Sequence, residues 1–270
     1  MVAFFGDWVD EVGPVYVGIV FRFAQHMARL ERSLAELRIA NPLTHAQGRE
    51  IASKLIADYA SSTNTQVEDI DQIIYIQVTR GVARRVHAML SGMTPRGFVM
   101  SKAMKLPTEH QLAQGVPCVT AEDFRWEKAH IKSTSLLGAV FARQIGVDAG
   151  ATETIMFRNG FLSEAAASNV WVIKDGRLMG PPKDNLVLQG IRYDLIDEIC
   201  HEQRIAVELR RISRDEVLAA DELLLSSATK EVLPVTRLDG KPAGGGQPGP
   251  VFATIHAGYQ AATARSRALP

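Results

Sequence analysis

A run of cationic side chains follows one strand-like segment. Arg80, Arg84, Arg85 and His87 come directly after QIIYIQVT, residues 72–79. Alternation along that segment puts Ile74, Ile76 and Val78 on one face and Ile73, Tyr75 and Gln77 on the other. The second face mixes polar and aromatic groups, as the wall of a site would. The basic cluster beyond it is suited to an anion such as a carboxylate or a phosphate. Other chemistries lack their motifs. There is no G-x-x-x-x-G-K-S/T, no G-x-S-x-G and no H-E-x-x-H. Gly244-Gly245-Gly246 follows a hairpin signal instead of joining a strand to a helix, so it reads as a plain loop. The 7 histidines are scattered without ligand spacing, so no metal is expected. Cys118 and Cys200 are too few and too isolated for a disulfide framework or a thiolate site, and read as buried small hydrophobes.

The elements that must position these groups are given by periodicity. Met27, Leu30, Leu34 and Leu37 mark a helix over about residues 26–39, and Ile51, Leu55, Ile56 and Tyr59 a second one, with Asn41-Pro42 breaking the chain between them. Residues 101–117 lack clean periodicity, carry Pro107 and Gly115, and are expected to connect two domains. Leu136, Leu137, Val140 and Phe141 then give the apolar spacing of a helix over 134–145. Strands are expected at Glu153–Arg158, Asn169–Lys174, Arg177–Met179, Glu222–Ser226 and Val232–Arg237. Asn159-Gly160, Asp175-Gly176 and Asp239-Gly240 supply hairpin turns. Ile191–Arg204 is amphipathic, Ser213 to Glu216 has capping-box spacing, and a last helix is expected over 251–265. Hairpins mixed with helices predict an α+β protein with largely antiparallel sheets.

Composition bounds the function. The 270 residues carry 30 basic and 30 acidic side chains, a formal net charge of zero, which argues against a grip on nucleic acid through its phosphates. Hydrophobic residues make up 46%, ample for one large or two smaller cores. No apolar run has the length of a membrane span, and Asp7, Asp10 and Glu11 interrupt the apolar start, so no signal peptide is expected and the cytoplasm is the expected location.

Six strings, in order and spacing, resemble the fold-type IV pyridoxal-phosphate enzymes, the class IV aminotransferases, and among them the D-amino-acid transaminases. They are His26-x-x-Arg29-Leu30 with SLAELRI, IYIQVTRGVARRVH (74–87), RWEKAHIKSTSLLGAVFARQ (125–144), Glu153 to Val172 with SEAAASNV, NLVLQGIRYDLI (185–196) and LLLSSATKEVLPV (223–235). The resemblance implies two domains: a smaller N-terminal α/β domain, 1–106, and a larger C-terminal cofactor-binding domain, 107–270, with a mostly antiparallel, barrel-like sheet. It implies that Lys132 holds pyridoxal 5'-phosphate as a Schiff base and moves the substrate proton, as an exchangeable amine can. Glu164 would keep the pyridine nitrogen protonated, and Leu188 would pack on the ring. Arg29, Ser227, Ala228 and the backbone of Gly190, Ile191 and Arg192 at a helix N-terminus would take the phosphate. Relatives often carry Thr at the positions of Arg192 and Ala228, so two hydroxyls are exchanged for one cation. Tyr75, and Arg85 and His87 from the neighbouring subunit of a homodimer, would bind the substrate carboxylate.

The start of the chain departs from the pattern. Gly6 to Glu11 reads G-D-W-V-D-E where the family usually reads G-D-G-V-Y-E, so Asp10 replaces a carboxylate-binding tyrosine. Pro14 falls in an expected strand, where it removes a donor. Roughly the first twenty residues of the usual pattern have no counterpart, which is expected to remove the first strands and leave a sheet edge uncovered. The implied activity is transamination of D-alanine, D-glutamate or D-aspartate with 2-oxo acids such as pyruvate or 2-oxoglutarate, in two ping-pong half-reactions. A branched-chain aminotransferase, an (R)-amine transaminase and aminodeoxychorismate lyase are alternatives on the same scaffold. A cofactor-binding but catalytically impaired homologue is an alternative of another class.

Overall fold

The N-terminal strand β1 (Val9–Tyr16) alternates its side chains between two different environments, and the first of the chain's two units is built around it. The computed structural model describes residues 6–84 and 86–267. The first unit takes in the chain up to Lys105, together with Ile131–Leu136 and the residues from Thr263 onward; the second takes in Leu106–His130 and Leu137–Ala262. The chain thus crosses at 105/106, and a short internal segment around Lys132 returns to the first unit, which a single cut at 106/107 leaves with the second.

In the first unit β2 (Ile19–Val20), β3 (Gln72–Thr79) and β4 (Arg96–Ala103) complete an antiparallel sheet in the order β2-β1-β3-β4. Pro14 sits within β1, opposite Ile73. Its carbonyl accepts the Phe21 N–H at 2.8 Å, so its ring nitrogen points the same way, toward the short β2 side. The missing donor therefore falls outside the β1–β3 ladder, which is why the strand tolerates it. The helix α1 (Phe23–Glu36) lays Met27, Leu30 and Leu34 against Ile74, Ile76 and Val78 of β3, the apolar face that alternation predicted. The helix α2 (His45–Ser62) starts at a capping box in which Thr44 accepts from Gln47 N–H, and it adds Ala52 and Ile56 to the same core.

The second unit holds a nine-stranded sheet. Its strands are β5 (Val116–Glu122), β6 (Glu153–Arg158), β7 (Phe161–Ala165), β8 (Asn169–Lys174), β9 (Arg177–Gly180), β10 (Val207–Leu209), β11 (Glu222–Ser227), β12 (Glu231–Leu238) and β13 (Lys241–Pro242). They run in the order β10-β9-β8-β11-β12-β5-β6-β7, with β13 on β12. Most neighbours are antiparallel; β9–β10, β12–β5 and β5–β6 are parallel. The hairpin turns fall where their dipeptides predicted, with Asn159, Asp175 and Asp239 and the glycine after each at positive φ. Helices α3 (Glu109–Gln114), α4 (Leu137–Asp148), α5 (Ile191–Glu202), α6 (Arg214–Leu218) and α7 (Pro250–Arg267) complete the fold. The stretch 101–117, expected as a connection, is therefore the end of β4, then α3 and the start of β5.

The helix expected over 134–145 forms from Leu137, and its apolar stripe is not the face it buries. On α4 the apolar residues Leu137, Val140 and Phe141 are 58–68% exposed, and Ala142 and Gly146 are the buried ones. A side chain at Gly146 would collide with Thr154 of β6, so the helix lies close on the sheet by its small residues. The Leu30 side chain is fully buried in the first unit's core. Leu30→Ala is expected to lower stability by about 2–5 kcal/mol, as read from denaturant unfolding; a loss under about 1 kcal/mol would mean this core does not hold the unit together.

Candidate active site

Alternation along β1 sends two adjacent carboxylates to opposite faces. Glu11 lies opposite Ile76, on the face that α1 covers, whereas Asp10 lies opposite Gln77, on the mixed face with Tyr75. Glu11 is almost fully buried and takes three charge-assisted bonds. Arg29 donates from Nε (2.7 Å) and Nη2 (2.8 Å), a bidentate fork, and His26 Nδ1 donates to Oε2 at 2.8 Å. His26 and Arg29 stand three residues apart on α1 and so share a face. Burial alone would raise the Glu11 carboxyl, but Arg29 and then His26 overcome it and hold it at about 2.

Asp10 meets Lys132. The backbones are joined first: Asp10 N–H donates to the Lys132 carbonyl (3.0 Å), Thr134 N–H to the Trp8 carbonyl (2.9 Å), and Val9 bridges Ser133. Ser33 on α1 accepts the Lys132 N–H at 3.1 Å. With the segment fixed alongside β1, Lys132 Nζ donates to Asp10 Oδ2 at 2.9 Å. Burial raises the Asp10 carboxyl by more than Lys132 lowers it. Asp10 thus faces the Lys132 amine. Tyr75 donates to Gln77 Oε1 at 2.9 Å; burial, and then Asp10, push its hydroxyl up.

In the second unit Glu164 on β7 is the centre of a different lattice. Arg125 reaches it through Nη1 (2.6 Å) while its Nε and Nη2 hold Asp123, both at 2.9 Å. Asn169 Nδ2 (3.2 Å) and the Leu188 N–H (3.1 Å) donate to its other oxygen, and Asn169 also donates to the Leu188 carbonyl at 2.9 Å. Burial pushes Glu164 up to about 7 against the pull of Arg125 and Leu188. Gly190 caps α5 without any side-chain bond; a side chain there would run into Asn169. Arg192, on the first turn of α5, is buried, stands over the Tyr259 ring and reaches the Ala228 carbonyl at 3.5 Å through Nη2. Ser227 Oγ accepts the Lys230 N–H at 3.1 Å.

The sequence-read residues therefore divide between the units: Lys132, Arg29 and Tyr75 in the first, and Glu164, Leu188, Gly190, Ile191, Arg192, Ser227 and Ala228 in the second. His87 is exposed on the loop between β3 and β4, and Arg85 lies outside the described residues. Glu11, Arg125 and Asp123 were not singled out from the sequence. The i, i+3 spacing of His26 and Arg29, and the Asp-x-Arg of 123–125, were the local signals for them. Among the described residues no group of His, Cys, Asp and Glu could hold a metal, and no helix is long and apolar enough to cross a membrane. Both cysteines are buried and unlinked.

Residues 8–238 match the family amino-transferase class IV. The D-alanine aminotransferase of Bacillus licheniformis is 35% identical over 260 residues, 95% of this chain and 87% of that protein. Among solved structures, the branched-chain amino acid aminotransferase of Escherichia coli is 25% identical with a TM-score of 0.81, over 93% of this chain and 84% of that one. A T.th. branched-chain amino acid aminotransferase, solved with pyridoxamine 5'-phosphate, has the same fold at a TM-score of 0.85 and 22% identity, over 97% of this chain and 87% of that one.

The Glu11 site gives a pH prediction. A carboxyl held at about 2 contributes stability that is fully present above the ordinary value near 4.5 and is lost as pH falls through about 2. Glu11→Gln leaves the buried Arg29 guanidinium without its anion and should cost about 3–5 kcal/mol at neutral pH. The gap between variant and wild-type melting temperatures should narrow as pH falls from 4.5 toward 2. A gap that is independent of pH would show that Glu11 is not ionised in the folded chain.

Proposed function

Because the chain belongs to the amino-transferase class IV family, we propose that it moves the amino group of D-amino acids onto 2-oxo acids, with D-alanine, D-glutamate or D-aspartate as donor and pyruvate or 2-oxoglutarate as acceptor. It is a pyridoxal-phosphate-dependent aminotransferase of fold type IV. The observation that carries the D-specific reading is the likeness to D-alanine aminotransferase along nearly the whole chain. The Arg85-x-His87 element and Tyr75 support it, as cationic and hydroxyl groups suited to one orientation of a substrate carboxylate.

The donor set fits the cofactor. Lys132 is an amine for its aldehyde, and Glu164 is a buried carboxylate for its pyridine nitrogen. The N-terminus of α5, which no side chain caps, suits its phosphate, with Arg192 on the same turn. When bound, pyridoxal phosphate supplies a carbonyl that accepts an amino group and a ring that delocalises the electrons released at the donor's α-carbon. Lys132 Nζ would hold the cofactor through its aldehyde carbon and would carry the proton taken from the donor's α-carbon. Glu164, steadied by Arg125, Asn169 and Leu188 N–H, would hold a proton on the pyridine nitrogen. In the second unit Ser227 and the Ala228 backbone would add donors for the phosphate and Leu188 would pack against the ring; in the first, Glu11 holds the Arg29 guanidinium in one orientation.

A second reading, amino transfer from L-leucine and other branched-chain amino acids, is favoured by the likeness to the Escherichia coli enzyme and by Asp10 standing where the D-specific pattern has tyrosine. Borohydride treatment of the purified yellow protein should fix the cofactor on Lys132, and D-alanine should then convert the untreated holoprotein to its pyridoxamine phosphate form. No adduct at Lys132 would defeat the assignment of that lysine. Conversion by L-leucine but not by D-alanine would replace the first reading with the second.

The exposed apolar residues of α4, Leu137, Val140 and Phe141, support a homodimer in which a second copy covers them. Phe141→Asp is expected to halve the mass seen in sedimentation equilibrium, and a wild-type chain that sediments as a monomer would sink the dimer. The two buried, unlinked thiols are in keeping with action in the cytoplasm.

A further inference from the structure

The departure at Asp10 places a carboxylate on the reacting amine. Asp10 Oδ2 is 2.9 Å from Lys132 Nζ, and the Asp10 side chain is only 6% exposed. Its second oxygen, Oδ1, is buried without a hydrogen-bond partner. As a structural clamp this arrangement is poor. An ionised carboxylate with one unmet oxygen carries a desolvation cost that a hydroxyl or an amide would largely avoid. The clamp is also unnecessary, because the Asp10 and Thr134 N–H groups already join the two backbones. What a carboxylate adds over a neutral side chain is the capacity to exchange a proton with the amine beside it.

We propose that Asp10 is a catalytic acid–base partner of Lys132, its Oδ2 taking a proton from the Nζ ammonium when the amine must react and returning it when the amine must be charged. This rests on Lys132 being the reacting amine, as proposed above. The step balances by itself: ammonium and carboxylate become amine and carboxylic acid, one N–H bond breaks, one O–H bond forms, and the net charge stays at zero. The charged and titratable groups that act on Asp10 are Lys132, its neighbour Glu11, Arg29 and the Tyr75 hydroxyl. Burial lifts the carboxyl above its ordinary range, with Lys132 opposing. A lifted carboxyl lies closer to neutrality and is a better proton acceptor than an exposed aspartate.

The test compares wild type with Asp10→Asn, which keeps the shape and cannot take the proton, Asp10→Glu, which can, and Asp10→Tyr, which restores the family's usual residue. In the holoproteins, Asp10→Asn should retain the cofactor but lower kcat about a hundredfold with little change in KM. It should lose the acidic limb of the pH profile and move the pH-dependent change in the bound cofactor's absorption by about one unit or more. Asp10→Glu should restore the acidic limb. An absorption change and an acidic limb identical to wild type in Asp10→Asn would overturn the proposal, and if that variant does not fold, Asp10→Tyr takes the same measurements.

A failure of the Lys132 assignment is told apart by labelling the chain with an amine reagent at neutral pH and mapping the peptide. In the cofactor-free chain, where Nζ is not tied up by the cofactor, loss of the Asp10 carboxylate should slow modification at Lys132 about tenfold, because the ammonium then has no base beside it to take its proton. An unchanged rate would show that the two groups share no proton.

Discussion

The first unit depends on one buried carboxylate. Glu11 is inside a core of Met27, Leu30, Ile74 and Ile76, where an unpaired anion would cost several kcal/mol. It is tolerable because a guanidinium fork and an imidazole N–H meet it together. These bonds set the rotation of α1 relative to β1, because His26 and Arg29 must both face the strand. They also fix which face of β1 each neighbouring side chain takes. With Glu11 pointed at α1, strand alternation leaves Asp10 no choice but the opposite face, and the backbone bond from Asp10 to Lys132 then brings the amine alongside.

The second unit handles a buried glutamate differently. Glu11 has the whole fork of one arginine and a histidine besides, and its carboxyl is held at about 2. Glu164 has only one arm of Arg125, since the rest of that guanidinium is committed to Asp123, and burial lifts it to about 7. The two environments suit two tasks. A carboxylate held firmly ionised is a fixed support for a cation. One whose proton affinity lies near neutrality can exchange a proton with a partner of comparable basicity. Asn169 and the Leu188 N–H keep Glu164 in place without adding charge, and the same asparagine fixes the loop that leads into α5.

Much of this was legible in the sequence wherever the cause is local. Period-two alternation located β3, the Asn-Gly and Asp-Gly pairs located three hairpins, and Ser213 with Glu216 located the start of α6. These features depend on residues within one turn or one strand of each other. The return of residues 131–136 to β1, more than a hundred positions away, has no local signature, nor has the bond between Arg125 and Glu164. The α4 helix shows how a true periodicity can mislead: Leu137, Val140 and Phe141 do form one stripe, but spacing cannot say which stripe meets the sheet. Gly146 decides it, because close approach to Thr154 requires the absence of a side chain.

The departures from the family pattern do not stand alone in the fold. Asp10 replaces a neutral tyrosine, and its new charge meets the one ammonium that the neighbouring segment offers. Arg192 and Ala228 stand where two threonines are usual, and the guanidinium of the first reaches the carbonyl of the second. Losing a hydroxyl at 228 opens room and leaves an acceptor, and a long cation at 192 can occupy both while its plane lies over Tyr259. In each unit, then, an altered side chain has a partner of opposite or complementary polarity close by. A buried charge without such a partner would weaken the fold before it could change the chemistry.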